Sequence, residues 1–193
     1  MYKDMADILK PCVVGSAEVD IFEINEKTES VFSVRAGISN GRYARLRVNG
    51  STIMSDTPME RRTNRECVIM SHGDVLIGGL GIGMIIMAIQ DKENVTSVTV
   101  VEKNPDVIAA IQYQLPLNDN VRIIQGDVYT YKPDMKFDCI YMDIWGDIST
   151  DTYEEMQKLK RRYGHYLKPA DVSPRRWNIC WAEYNAKNGK NFI

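Results

Sequence analysis

Residues 74–84 read DVLIGGLGIGM, an apolar run that breaks into Gly79, Gly81 and Gly83. The first half has the apolar continuity of a strand buried on both faces. Glycine inside a packed element costs about 0.5–1 kcal/mol against alanine, so three at alternate positions need a reason. Two reasons are open: a tight turn that packing demands, or a backbone surface that a ligand approaches closely. In an open parallel sheet the ligand crevice lies at the carboxyl ends of the strands, and the following helix points its N-terminus there. These glycines fall at that place. On the ligand reading, a side chain at Gly81 blocks the ligand and leaves most of the fold intact.

The rest of the chain supports a sheet of that kind. From residue 57 onward helices and strands alternate: a helix over TPMERRTNRECVIMSH with Thr57 as N-cap and Pro58 at its first position, then strand DVLIGG and helix GMIIMAIQDK. Strand SVTVVE, helix NPDVIAAIQYQL, and strands VRIIQGD and FDCIYMDIW follow. The helix STDTYEEMQKLKRRYGHYL, with Asp151 and Glu154 fitting an N-cap and its partner, completes the series. Alternation at this length means a parallel sheet covered on both faces. The expected strand order is 3-2-1-4, with a fifth strand over WNICWAEY beside the fourth. Before residue 57 the pattern is different. A short helix ends at Pro11, and VDIFEINE, SVFSVRAG, YARLRVNG and STIMS alternate as short strands, with turns at Asn40-Gly41 and Asn49-Gly50. Asn-Gly between alternating apolar residues is a strong hairpin signal. The expected fold class is therefore α/β: a Rossmann-like three-layer αβα parallel sheet over residues 57–193, preceded by a small antiparallel β-meander with a leading helix over 1–56.

The candidate site residues sit at strand ends. The dinucleotide fingerprint G-x-G-x-x-G fails in both frames, at Met84 and at Ile86, which disfavours NAD and an oxidoreductase. Glu102 closes the second strand, where a carboxylate can accept two hydrogen bonds from ribose hydroxyls; the bland alternative is a solvated loop acid. Asp127, after the third strand, suits an adenine amino group, with the Val128 amide beside the ring, or else is the N-cap of the next helix. Asp143 closes the buried fourth strand. An uncompensated carboxylate is costly there, so it is expected to face a cavity. Asp147, and Asp56 from the hairpin side, would make an acidic crevice suited to a cationic acceptor, or else serve as solvated caps. Trp145 is read either as a cover over a sulfonium or as core.

VLIGGLGIGM, VTVVEKNPDVI, VRIIQGD and FDCIYMDIW, taken together over residues 74–146, resemble the nucleoside-binding half of class I S-adenosylmethionine-dependent methyltransferases, and among them the spermidine synthase-like proteins. The resemblance implies a transferase using S-adenosylmethionine or decarboxylated S-adenosylmethionine. It implies Asp143 as catalytic base and Gly79, Gly81, Gly83, Glu102, Lys103, Asp127 and Val128 as cofactor-binding. It also implies a small-molecule acceptor, an amine among the candidates, and a homodimer through the meander. A second reading is a nucleoside-binding interaction module of the same fold without catalysis. The sequence departs from that family at Ile53 and Pro58-Met59, where it has a glutamine and an acidic pair, and at Ile144-Trp145-Gly146 after Asp143.

Composition bounds the partners. With 193 residues, 26% charged and a net charge of -2, nothing favours nucleic acid or an anionic membrane. No apolar stretch reaches the ~18 residues of a membrane span. Cys12, Cys67, Cys139 and Cys180 lack C-x-x-C spacing and lie far in sequence from His72 and His165, so neither a metal site nor a local Cys–His signature is expected. Unpaired cysteines and the absence of a signal-peptide core suggest the cytoplasm.

Overall fold

The computed structural model describes residues 2–25, 39–146 and 149–189. They form two sheets. The first contains β1 (Cys12–Val14), β2 (Ala17–Ile24), β3 (Gly41–Val48) and β4 (Ser51–Ser55), in that order and antiparallel throughout. The strand expected over SVFSVRAG lies outside the described residues. Asn49 and Gly50 join β3 to β4 with φ of 51° and 79°, the two positive angles that a two-residue hairpin turn of this hand needs. The leading helix α1 is one turn, Met5–Ile8, and the β1–β2 hairpin that follows was not foreseen from the sequence.

The second sheet is parallel, with order β7-β6-β5-β8-β9. Its strands are β5 (Gly73–Gly78), β6 (Val95–Glu102), β7 (Val121–Gln125), β8 (Cys139–Met142) and β9 (Trp177–Cys180). In chain order this is 3-2-1-4-5, the Rossmann-like sequence of strands expected above. The helix expected over residues 57–72 is two helices, α2 (Pro58–Thr63) and α3 (Arg65–Met70), broken at Asn64. The buried Asn64 amide donates back to the Glu60 carbonyl and accepts from the Tyr141 hydroxyl, so the break is held by the sheet. Helices α4 (Met84–Ile89), α5 (Pro105–Ile111), α6 (Thr150–Gly164) and α7 (Glu183–Asn188) complete the layers. The cap of α6 is Ser149, whose hydroxyl accepts from the Thr152 amide at 3.1 Å, and not Asp151. The expected strand over WNICWAEY stops at Cys180 and gives way to α7.

Strand alternation sorts the core. Val75, Ile77, Val98, Val100 and Tyr141 face α3, α4, α5 and the meander, while Leu76, Ile140 and Met142 face Met156, Leu159 and Tyr163 of α6. Helix α4 is MIIMAI, apolar on every side. Such a helix must be covered on every side, and all six residues are buried. No described helix is long and apolar enough to cross a membrane.

The two sheets meet at Asp56, which follows β4 and is wholly withdrawn from solvent. Its carboxylate accepts from the Met5 amide (2.9 Å), the Ala44 amide (2.8 Å) and the Arg61 guanidinium (3.1 Å). One carboxylate thus joins α1, β3 and α2. Removing one partner of a buried ionic network leaves the others unpaired. Asp56→Ala is therefore expected to lose roughly 3 kcal/mol of stability, measured as a lower urea midpoint with the slope unchanged.

Candidate functional site

The strand register brings the sequence motifs to one edge. The Gly79 amide donates to the Val101 carbonyl (2.9 Å), Gly126 to Glu102 (2.8 Å) and Asp143 to Gly78 (2.9 Å). Each bond continues a ladder by one residue. Gly79, Glu102, Asp127 and Asp143 therefore stand side by side at the carboxyl ends of the adjacent strands β5, β6, β7 and β8.

The three glycines of the loop have φ of 96°, 52° and 76°, all in the left-handed region that a Cβ disfavours. Each also lies against protein. A Cβ at Gly79 would collide with the Asp143 carbonyl oxygen, one at Gly81 with the Met54 sulfur of β4, and one at Gly83 with Leu115. Backbone conformation and packing thus account for all three, and the expectation that a side chain at Gly81 spares the fold is corrected. A side chain there takes a strained φ and pushes on the Met54 side chain.

Glu102 is bonded within the site. Its Oε2 accepts from the Leu80 amide in the glycine loop (2.9 Å) and its Oε1 from the Asn104 amide (2.8 Å). The carboxylate ties loop to strand, and each oxygen retains a second lone pair toward the crevice rim. Asp127 accepts from the Tyr129 amide (2.9 Å) within a turn, no helix follows for it to cap before β8, and it pairs with Lys103 (2.9 Å). These partners hold the Asp127 carboxyl below its usual range, the Tyr129 amide contributing most. Lys103 is largely exposed, so this pair contributes little to stability. Val128 is buried, and its carbonyl accepts from the Tyr163 hydroxyl (2.9 Å).

Asp143 follows the last residue of β8. It is half-buried, and burial pushes its carboxyl up to about 7. Glu60, on α2, lies within electrostatic range of it. Its carboxylate accepts from the Ser55 amide, and its pKa is pushed up to about 8, first by burial and then by the charge of Asp143. Tyr2 lies within the same electrostatic neighbourhood; its hydroxyl is buried without a hydrogen-bond partner among the described residues, and burial raises its pKa. Glu60 was missed because it reads as an ordinary first-turn acid. Only the fold of α2 against β8 gives it a carboxylate neighbour.

Other sequence expectations fall elsewhere. Asp56 is the buried junction described above and does not face the crevice. Asp147 lies outside the described residues. Trp145 donates its indole N–H to Glu155 (3.2 Å) and packs, only partly buried, against the α6 face. Cys139 and His72 do meet, with sulfur and Nδ1 3.3 Å apart. They sit at the amino ends of β8 and β5, and burial raises the thiol to about 11, which opposes a thiolate nucleophile.

No protein-family model matches the chain, and no curated protein matches it. Solved structures similar to it include methyltransferases and a protein in complex with S-adenosylmethionine. CalS10, an amino pentose methyltransferase from Micromonospora echinaspora, is 20% identical over 56% of this chain and 43% of its own, with a TM-score of 0.40. The N-methyltransferase NodS from Bradyrhizobium japonicum WM9 is 15% identical over 60% of this chain and 66% of its own, with a TM-score of 0.46. DhpI is 20% identical over 56% and 49%, with a TM-score of 0.44. The chain spans less than two thirds of each of these proteins. Its five-stranded parallel sheet with flanking helices fits the Rossmann-like arrangement of class I methyltransferases. At these identities the likeness is one of fold.

Two outcomes are expected from this geometry. Gly81→Ala costs about 1–2 kcal/mol through its left-handed φ and the collision with Met54. The same substitution in a Met54→Ala background costs less, because only the backbone strain remains; a double-mutant cycle by chemical denaturation reads the difference. For Asp143, the folded protein holds the proton up to about pH 7 while the unfolded chain releases it near 3.8. The contribution is full below the unfolded value and is lost as pH rises through the folded one. Asp143→Asn escapes that loss. Relative to the unsubstituted protein it gains on the order of 2 kcal/mol between acid and mildly alkaline pH, read from melting curves across that range.

Proposed function

We propose that this chain is a transferase that uses S-adenosylmethionine, or its decarboxylated form, and passes a group to an amine. The observation that carries the reading is Asp143: a half-buried carboxyl with a pKa near neutrality, beside a glycine loop and within electrostatic range of a second carboxyl, Glu60. The sulfonium donor is already electrophilic, so the protein must mainly align the nucleophile and accept its proton. A base works best when its pKa lies near the working pH. An acceptor that enters as an ammonium favours the ionised forms of Asp143 and Glu60, and the opposite charges then offset part of the cost of desolvation. The ionised Asp143 carboxylate first takes a proton from the bound ammonium; the freed nitrogen lone pair then attacks the donor carbon, and the thioether leaves with the electron pair of the broken carbon–sulfur bond. Glu102, with Gly79, Gly81 and Gly83 shaping the loop, holds the nucleoside end; Lys103, Asp127 and Val128 border the base. In this reading the resemblance of residues 74–146 to spermidine synthase-like proteins points to an amine acceptor, and the meander is the dimer face.

One observation favours a second reading, a binding module without turnover. Met54 and Leu115 pack directly on the glycine loop, so protein atoms fill space beside the loop.

Melting curves with S-adenosylmethionine, decarboxylated S-adenosylmethionine, methylthioadenosine and NAD test the ligand. An adenosyl compound at a hundredfold excess over Kd is expected to stabilise by about 2.7 kcal/mol, and NAD is expected to do nothing. Incubation with either donor and a panel of diamines and polyamines should yield a heavier amine by mass spectrometry, with a rate that rises through about pH 7. Asp143→Asn should abolish product and keep nucleoside affinity within about tenfold. Adenosyl binding with no product from any acceptor supports the module. No adenosyl binding at all overturns both readings.

A further inference from the structure

A hollow of about 370 Å³ opens along the free edge of β9, between α3 and α7. Two indoles set its dimensions. Trp177, at the start of β9, donates to the Met70 carbonyl at the end of α3 (3.2 Å). Trp181, just past β9, donates to the Thr63 hydroxyl at the end of α2 (3.2 Å). These bonds fasten the helical wall to the edge strand at both ends and leave the hollow between them. A cavity braced in this way is formed before any ligand arrives, which lowers the ordering cost of binding.

The floor is apolar and aromatic. Tyr141 and Trp177 meet edge-on with ring centroids 6.4 Å apart, and Ile179 lies beside them. The two walls carry opposite charges. Glu66 projects from the α3 side and Lys187 from the α7 side, and neither has an ion pair or hydrogen bond among the described residues. Glu183, also on the α7 side, is already engaged by Lys160 (2.6 Å) and Gln157 (2.9 Å), so it is not available to a ligand charge. The volume lies at the small end of ligand pockets, roughly 300–1,000 Å³, and suits a molecule the size of a large amino acid.

We propose that this hollow is a second small-molecule site that takes a free apolar or aromatic α-amino acid. The side chain lies on the Tyr141–Trp177–Ile179 floor, Glu66 receives the ammonium, and Lys187 receives the carboxylate. The site shares none of these groups with the transfer crevice, so the proposal stands or falls apart from the transferase reading.

The protein has three tryptophans, two of which brace the hollow, so indole emission reports on it directly. In a Trp145→Phe background the emission comes from Trp177 and Trp181 alone. Three probes with the same ring separate the charges: L-phenylalanine, phenethylamine without the carboxylate, and 3-phenylpropionate without the ammonium. L-Phenylalanine is expected to give a saturable change and to bind roughly threefold to fivefold more tightly than either analogue, the scale of an exposed ion pair. Glu66→Gln should lower its affinity to that of 3-phenylpropionate, and Lys187→Gln to that of phenethylamine. Asn185→Phe, which fills the hollow from α7, should abolish the change; Met70→Phe fills it from α3 if the first variant does not melt like the parent. The proposal is overturned by the absence of a saturable response to L-phenylalanine, by equal binding of the three probes, or by a response that survives filling. A response to extended apolar peptides alone also overturns it and marks the edge as a strand-pairing surface.

Discussion

The carboxylate of Asp56 is the interaction on which the arrangement depends. A charge wholly removed from water is tolerable only when every lone pair it offers is used by well-placed donors. Those donors belong to three segments: the first turn of the chain, the middle of β3, and α2. The cost of burying the acid is thus recovered only when the antiparallel sheet, the leading helix and the first helix of the parallel half come together. Asp56 also fixes where α2 starts, and α2 carries Glu60. The electrostatic neighbour of Asp143 is set by a residue that never touches the crevice.

Similar contacts repeat the theme at smaller scale. The β1–β2 turn lies on the start of α5, with the Ser16 amide and hydroxyl both donating to Asp106 (2.7 and 2.8 Å) and a glycine at 15 because any side chain there would occupy the same carboxylate. At the opposite end of the parallel sheet Lys168 bridges Asp74 and Asp138, each at 2.7 Å, and clamps β5 to β8. Lys92 donates to the carbonyls of Val68 (2.8 Å), Ile69 (3.1 Å) and Ser71 (2.7 Å), satisfying the end of α3 with a single ammonium. Against this rigid frame the crevice side of β8 is unusual. Asp143 and Glu60 are partly buried carboxyls without a basic partner among the described residues, and burial raises both.

Much of the fold was legible because its signals are local. Asn-Gly at 49–50 specifies a two-residue hairpin through backbone angles alone. The apolar runs of β5, β6 and β8 have the continuity of strands covered on both faces, and their alternation with helices dictates a parallel sheet and its order. Where local signals conflict, the reading slipped by a residue or a cap. The helix over 57–72 breaks at Asn64 because Tyr141, far away in sequence, offers that amide a partner. The last strand yields to α7 after Cys180, and Ser149 competes successfully with Asp151 for the α6 cap.

The candidate site divides along the same line. The sequence by itself determined that Gly79, Glu102, Asp127 and Asp143 share one edge, since successive parallel strands place their carboxyl ends together whatever the side chains do. It also determined that Asp143 ends an apolar strand and must be an acid in difficult surroundings. Only the tertiary structure decided what each of these groups touches. It assigned Met54 to the space beside Gly81, spent the Asp56 carboxylate on three backbone and side-chain donors, carried Trp145 to the α6 face, and brought Glu60 to Asp143. The physical reason is range. Backbone geometry and hydrophobic periodicity are properties of a few neighbouring residues. The protonation of a carboxyl depends on burial and on charges contributed by segments that meet only when the chain is folded.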